Sequence, residues 1–174
     1  DQFINLTQDW KDGTDEHLVP YYLLSDDPGG RLLVRAGRWE GTPVNVAFHP
    51  VPDEHLPGCN LKGLDARSFC EIDGYGEDLV SCKQGSPVQA TRRILDALDT
   101  YLEQDRKVYV HCWGGSGRTG TIIGCWIRRH GLAGQHEVLD CLHELRQGDS
   151  VKHRKEIPNR GAQEDLILSW EDGW

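Results

Sequence analysis

The chain has 174 residues, 37% of them hydrophobic and 27% charged, which suits one domain over 1–174 with a sizeable core better than two small domains. Its 28 acidic residues outweigh 19 basic ones for a formal charge of -9, a balance that disfavours nucleic acid or an anionic membrane surface as the main partner. No run of about 18 apolar residues occurs, and the first twenty residues carry Asp, Lys and Glu where a secretory segment would be apolar, so the chain reads as soluble and untargeted.

Six cysteines stand at 59, 70, 82, 112, 125 and 141 with no C-x-x-C pair, in a chain too long to depend on disulfide staples. They are expected to be reduced, in a cytoplasmic compartment. The sequence contains no methionine, which predicts that Asp1 is not the translated start and that a leading segment was trimmed or is missing.

In chain order, Phe3-Ile4-Asn5-Leu6 is a short apolar run compatible with a strand or an irregular edge. Residues 26 to 43, rich in Gly, Asp and Pro around Leu32-Leu33-Val34, predict a loop or hairpin leading into a strand at Val44-Asn45-Val46-Ala47-Phe48 that stops at Pro50. From Pro57 to Gly85 no period is sustained, and this is the most loop-like stretch. Ser86 and Pro87 then supply an N-cap and an N1 proline, and Ile94, Leu98, Tyr101 and Leu102 share a helical face through about Gln104.

Lys107-Val108-Tyr109-Val110-His111 reads as a buried central strand running straight into a glycine-rich turn. After the turn, Ile122, Ile123, Trp126 and Ile127 predict a helix over 119–129, with Gly120 and Gly124 leaving room for close packing and His130-Gly131 ending it. A helix over about 135–147 has Val138, Leu142 and Leu145 in register, and a last one runs from Gln163 to Trp170.

The chemistry concentrates at His111-Cys112-Trp113-Gly114-Gly115-Ser116-Gly117-Arg118-Thr119. A strand that delivers a glycine-rich loop to a helix N-terminus forms a phosphate cradle, because successive backbone N–H groups point inward and the helix dipole favours an anion. Gly114, Gly115 and Gly117 suit that shape. The loop lacks the Gly-Lys-Ser/Thr ending of nucleotide-binding P-loops. In its place stand Cys112, where amide dipoles and Arg118 favour the attacking thiolate, and Arg118, whose planar fork matches two phosphoryl oxygens. An inert buried thiol before an ordinary turn is the bland alternative for Cys112, and an arginine six positions on argues against it. Cys125 and Cys141, within predicted helices, read as core residues. Cys59, Cys70 and Cys82 have no zinc-like spacing, so no metal is implied.

The pattern H-C-x5-R-[ST] resembles the signature of the cysteine-based protein tyrosine phosphatase superfamily, and Trp113 to Gly117 resembles its bacterial dual-specificity-type branch. The resemblance implies an α/β fold, a central sheet flanked by helices, with the phosphate-binding loop between a central strand and a helix N-terminus. It implies a phosphocysteine intermediate, no cofactor, a phosphorylated protein or peptide as partner, and phosphate binding by Trp113, Gly114, Gly115, Ser116, Gly117 and Arg118. Thr119 stands where the family places a hydroxyl that bonds the leaving thiolate, and His111 where a histidine orders the loop. Pro50 to Pro57 resembles the family's acid-bearing segment, which makes Asp53 the expected proton donor; Asp73 and Asp78 are the competing acids. Pro158 to Gln163 resembles a late segment whose glutamine, here Gln163, positions the hydrolytic water. Each of these residues also has an ordinary reading: a helix-start threonine, a core histidine, a turn aspartate, a solvated first-turn glutamine.

The function implied is a tyrosine or dual-specificity protein phosphatase. The alternatives are a phosphoinositide, inositol phosphate or RNA 5′-phosphatase on the same loop, and a silent phosphopeptide-binding module. The loop has no Lys or Arg beyond Arg118, which argues against polyanionic substrates.

Overall fold

The computed structural model describes residues 2–9, 14–19, 22–23, 32–35, 38, 40–51 and 87–174. Strand β1 (Gln2–Asn5) lies between β4 (Pro43–Phe48) and β5 (Val108–His111) and is parallel to both, with Ile4 level with Ala47 on one side and Val110 on the other. Because the three strands run the same way, their carboxyl ends reach one edge together. The ladder continues past the strands there, Leu6 N donating to His111 O and Val51 N to Leu6 O.

Two short strands, β2 (Tyr22–Leu23) and β3 (Leu32–Val34), extend the sheet antiparallel beyond β4, giving the order β2-β3-β4-β1-β5. The expected hairpin into Val44 is therefore the β3–β4 pair, with Leu32 opposite Val44. The expected buried central strand at Lys107–His111 is corrected by this order: among the described residues β5 closes the sheet, and Tyr109 is 61% exposed. Its β-branched and aromatic run fits a half-covered pleat as well as a fully buried one, which is why composition alone misplaced it. Among the three parallel strands the middle place is held by β1, whose Ile4 and Asn5 are buried.

Helices flank this sheet. Helix α1 (Pro87–Glu103) begins at the proline as expected, but its buried face runs through Ala90, Thr91, Ile94, Leu95 and Leu98, while Leu102 is exposed. Helix α2 (Gly117–Arg129) buries Ile122, Cys125 and Ile127. Helix α3 (Val138–Arg146) buries Val138 and Leu142 but exposes Leu145, and α4 (Gly161–Leu168) buries Gln163, Leu166 and Ile167. The contact of α2 with the segment that follows α3 depends on small residues. A Cβ at Gly120 would lie 2.7 Å from Ile157, and one at Gly124 would lie 2.6 Å from Ile167. The backbones of α2 and α4 can approach so closely only because no side chain stands between them.

Candidate active site

Cys112 follows β5 directly, and α2 starts five residues later, so the intervening loop must turn sharply. Gly115 takes φ +67°, a conformation that other residues adopt only with strain. In that conformation its N–H is aimed at Cys112 and donates to Sγ at 3.2 Å, while the Thr119 hydroxyl donates to the same sulfur at 3.1 Å. Both donors, together with the N-terminus of α2, stabilise negative charge on sulfur. Gly117 meets a different demand: a Cβ there would clash with Asn159 Oδ1 and lie 3.0 Å from Gln163 Oε1. Gly114 faces open space and needs glycine for neither reason.

The loop is gripped from behind by cations. Lys152 Nζ donates to the Gly114 carbonyl at 2.8 Å, and Arg146 donates to the Ser116 hydroxyl at 2.7 Å. The Lys152 bond bears on the nucleophile because Gly114 C=O and Gly115 N–H belong to one planar peptide. Holding the oxygen outward fixes the N–H toward sulfur.

Arg118 is 3% exposed and lies across the carboxyl edge of the sheet. Its Nη1 donates to the Val51 carbonyl at 3.0 Å and to Asp15 at 2.6 Å, and its Nη2 donates to the other Asp15 oxygen at 2.8 Å. Asp15 is fully buried. Burial works to raise its pKa, but the Arg118 hydrogen bonds and charge, the Gln8 amide and the Thr14 hydroxyl outweigh burial, and the carboxyl sits below its ordinary range. The loop that carries it is itself tied down, Asp15 N donating to Gln8 O and Asn5 Oδ1 accepting from Thr7.

His111 lies half-buried at the base of the loop. Burial lowers its pKa, against the pull of a hydrogen bond to the Cys112 backbone and the charge of Asp9, with Arg118 lowering it further. The neutral imidazole is thus favoured there. Trp113 is 61% exposed at the rim, edge-on to His17 at 5.2 Å. Cys112, Trp113, Gly117 and Arg118 open into a cavity of about 730 Å³ that is also lined by Lys152, Arg154, Lys155, Glu156 and Asn159. Among the described residues no cluster of His, Cys, Asp or Glu could hold a metal ion, and no helix is long and apolar enough to cross a membrane.

The chain is similar to known proteins. The family model described as Swiss Army Knife protein, DSP-PTPase phosphatase domain, matches residues 82–165, which include the whole loop. The dual specificity protein phosphatase CDC14AB of Danio rerio is 28% identical over 135 residues, 70% of this chain and 22% of that protein. CDC14C of Symphalangus syndactylus is 35% identical over 71 residues, 41% of this chain and 14% of that protein. The crystal structure of Tk-PTP in the active form matches over 98% of this chain and 78% of that one, with a TM-score of 0.54 and 22% identity. Residues 82–165 are thus similar to the phosphatase domain of that family model, and the fold is similar to that of Tk-PTP. The chain spans less than a quarter of the length of the two CDC14 relatives.

The structure brings together Cys112, Trp113, Gly114, Gly115, Ser116, Gly117, Arg118, Thr119 and His111 in one loop and its flanks. Gln163, in the first turn of α4 and fully buried, packs against Gly117, so it is no solvated first-turn residue. Asp53, Asp73 and Asp78 lie outside the described residues, as do Cys59, Cys70, Cys82 and the Ser86 cap. Sequence reasoning missed Asp15, Arg146 and Lys152. Asp15 had a signal, since an arginine at the base of an oxyanion cradle needs a carboxylate to hold it, but Asp9, Asp12 and Glu16 stand in the same stretch and nothing in the pattern distinguishes them.

Proposed function

We propose that the chain is a tyrosine or dual-specificity protein phosphatase that hydrolyses phosphomonoesters through a phosphocysteine. The observation that carries this reading is the convergence of the Gly115 N–H and the Thr119 hydroxyl on Cys112 Sγ, in the same loop that ends in the clamped Arg118. In the first step the Cys112 thiolate attacks phosphorus. The Sγ–P bond forms, the ester P–O bond breaks, and the leaving oxygen takes a proton from Asp53. Arg118 holds two equatorial phosphoryl oxygens through its Nε–Nη2 edge, where charge develops in the transition state.

In the second step water attacks phosphorus. Asp53, now ionised, accepts its proton, the Sγ–P bond breaks, and inorganic phosphate leaves. Thr119 donates to the departing thiolate, and Gln163 orients the water. Asp53 is assigned by its place between Pro50 and Pro57 after β4, and Gln163 by its packing on Gly117. The substrate is a phosphorylated protein or peptide and no cofactor takes part. A nucleophilic thiol of this kind fits a reducing, cytoplasmic setting.

An aryl phosphate assay with chelator present tests the reading. Cys112→Ser should lower turnover by at least about a thousandfold while still binding substrate, because a neutral hydroxyl without a base is a poor nucleophile. Substantial residual turnover excludes the mechanism. Asp53→Asn should slow phosphopeptides about a hundredfold and activated aryl phosphates much less, with a flattened basic limb in the pH–rate profile. If Asp73→Asn or Asp78→Asn shows that signature in its place, the proton comes from the 57–85 stretch.

A further inference from the structure

Ser116 carries the one side-chain hydroxyl between Cys112 and Arg118, and its partner decides how that hydroxyl can act. It stands at the N-cap of α2, where a serine ordinarily accepts a bond from a first-turn amide. Here the side chain makes no such bond. Its oxygen accepts from Arg146 Nη2 at 2.7 Å, in a buried contact. Arg146 is 8% exposed, its Nη1 has no partner, and among the described residues it forms no ion pair. Ser116 Oγ is therefore the acceptor to which this buried cation is committed.

The bond joins two cavities. Arg146 lines one of about 370 Å³ that Ser116 does not reach, and Ser116 lines the larger one into which Cys112 and Arg118 open, which Arg146 does not reach. A hydroxyl has one hydrogen and two lone pairs. With a lone pair held by a cationic donor, the hydrogen turns away from Nη2 and toward the cavity of the nucleophile. No acceptor among the described residues takes it, Glu156 and Asn159 on that cavity included. The guanidinium also strengthens the hydroxyl as a donor, because hydrogen bonds in a chain polarise one another.

We infer that the Ser116 hydroxyl is a further catalytic donor, giving its hydrogen to a nonbridging phosphoryl oxygen, and that Arg146 is the positioning residue that turns it there. The inference rests on the phosphatase reading and adds a side-chain donor to the loop amides and Arg118. Arg146 itself does not touch the substrate. Its charge reaches the phosphoryl group through a single oxygen.

The test measures binding of vanadate, an oxyanion, by the protection it gives Cys112 against iodoacetamide, with alkylation of that residue read by mass spectrometry. It is run beside kcat and KM for an aryl phosphate. Ser116→Ala should weaken vanadate binding and lower kcat/KM by about ten- to a hundredfold, the range for a bond to a charged acceptor. Ser116→Thr, which keeps the hydroxyl, should restore most of both. Arg146→Met should also weaken both, and the double variant should lose no more than Ser116→Ala alone, because the two residues act through one bond. The pH at which Cys112 is half-alkylated should stay in place in Ser116→Ala, since the Gly115 and Thr119 bonds to Sγ do not pass through the serine. Unchanged vanadate binding and kcat/KM in Ser116→Ala, no recovery in Ser116→Thr, additive losses in the double variant, or an upward displacement of the alkylation pH overturns the assignment. If Arg146→Met does not fold, Arg146→Lys decides the arginine's part: it can still donate to Oγ, and a loss as large as that of Ser116→Ala overturns it. Failure of the unmodified protein to hydrolyse the aryl phosphate, with vanadate binding that still depends on Ser116, overturns the phosphatase reading and leaves the oxyanion donor standing. Absence of vanadate binding by the unmodified protein overturns both.

Discussion

The two flanks of the phosphate loop hold it with charges of opposite sign. On the sheet side, Asp15 and the Val51 carbonyl, both acceptors, hold the loop's cation, Arg118. On the helical side, Lys152 and Arg146, both donors, hold the loop's oxygens at Gly114 and Ser116. Each flank supplies the sign that its part of the loop lacks, and the nucleophile sits between. The individual grips also differ in depth. The Asp15–Arg118 pair is buried on both partners and the Arg146–Ser116 bond is buried as well, whereas the Lys152 bond is only partly buried. Depth decides how much each grip is worth, because a buried charge that loses its partner retains its full desolvation penalty.

The largest effect should come from breaking the sheet side. Asp15→Asn keeps the shape but turns an amide N–H₂ toward a guanidinium and removes the neutralising charge. We expect kcat/KM to fall about a hundredfold, since Arg118 would no longer be fixed for the transition state. Stability should fall by about 3–5 kcal/mol in urea titration. Parent-like kinetics in this variant would mean that the carbonyls alone position the arginine.

Breaking the helical side should cost less. Lys152→Met frees the Gly114–Gly115 peptide without burying a lone charge, and we expect about a tenfold fall in kcat with KM changed less. Lys152→Arg, which can still reach the carbonyl, should restore most of it. A fall in KM alone, or no rescue by arginine, would show that the bond does not orient the peptide.

The smallest effect sharpens the contrast through pH. The folded-state pKa of Asp15 lies below the unfolded value of 3.8, so the unfolded chain binds more protons as pH falls. The pair's stabilisation is complete above that value and is lost as pH falls through the folded one. His111 contributes in a higher window. Its folded pKa is below 6.5, so stability declines as pH falls from 6.5 toward that value. Denaturation midpoints followed from pH 8 to about pH 2 should therefore fall in two stages, with Asp15→Asn flattening the lower and His111→Gln the upper.

Much of this site was legible without coordinates because its chemistry is local. The Cys112-to-Arg118 spacing, the positive-φ glycine and the threonine after the arginine are neighbours in sequence, and the short strand and helix around them follow from β-branched and helical periodicity. What was not legible depends on contacts over long separations. Asp15 meets Arg118 across 103 positions and Lys152 meets Gly114 across 38, and no periodicity encodes such meetings. The helix faces show the same limit. Leu102 and Leu145 fit their apolar stripes but point to solvent, because neighbouring elements decide which part of a stripe is covered.

Arginine clamping by Asp15 also separates the region of recognisable similarity from the cooperative unit. The family match begins at 82 and ends at 165, and so contains the nucleophile, its arginine and Thr119. It omits β1, Asp15 and Val51 on one side. On the other it omits Trp170, which is 1% exposed and whose carbonyl accepts from Arg128 at 2.9 Å. A fragment cut to those limits would keep every residue of the signature while leaving an arginine without its carboxylate and α4 cut short of the buried Leu166 and Ile167. Autonomy in this protein is therefore a property of the paired halves, and the segment that is easiest to recognise is not one that can be excised.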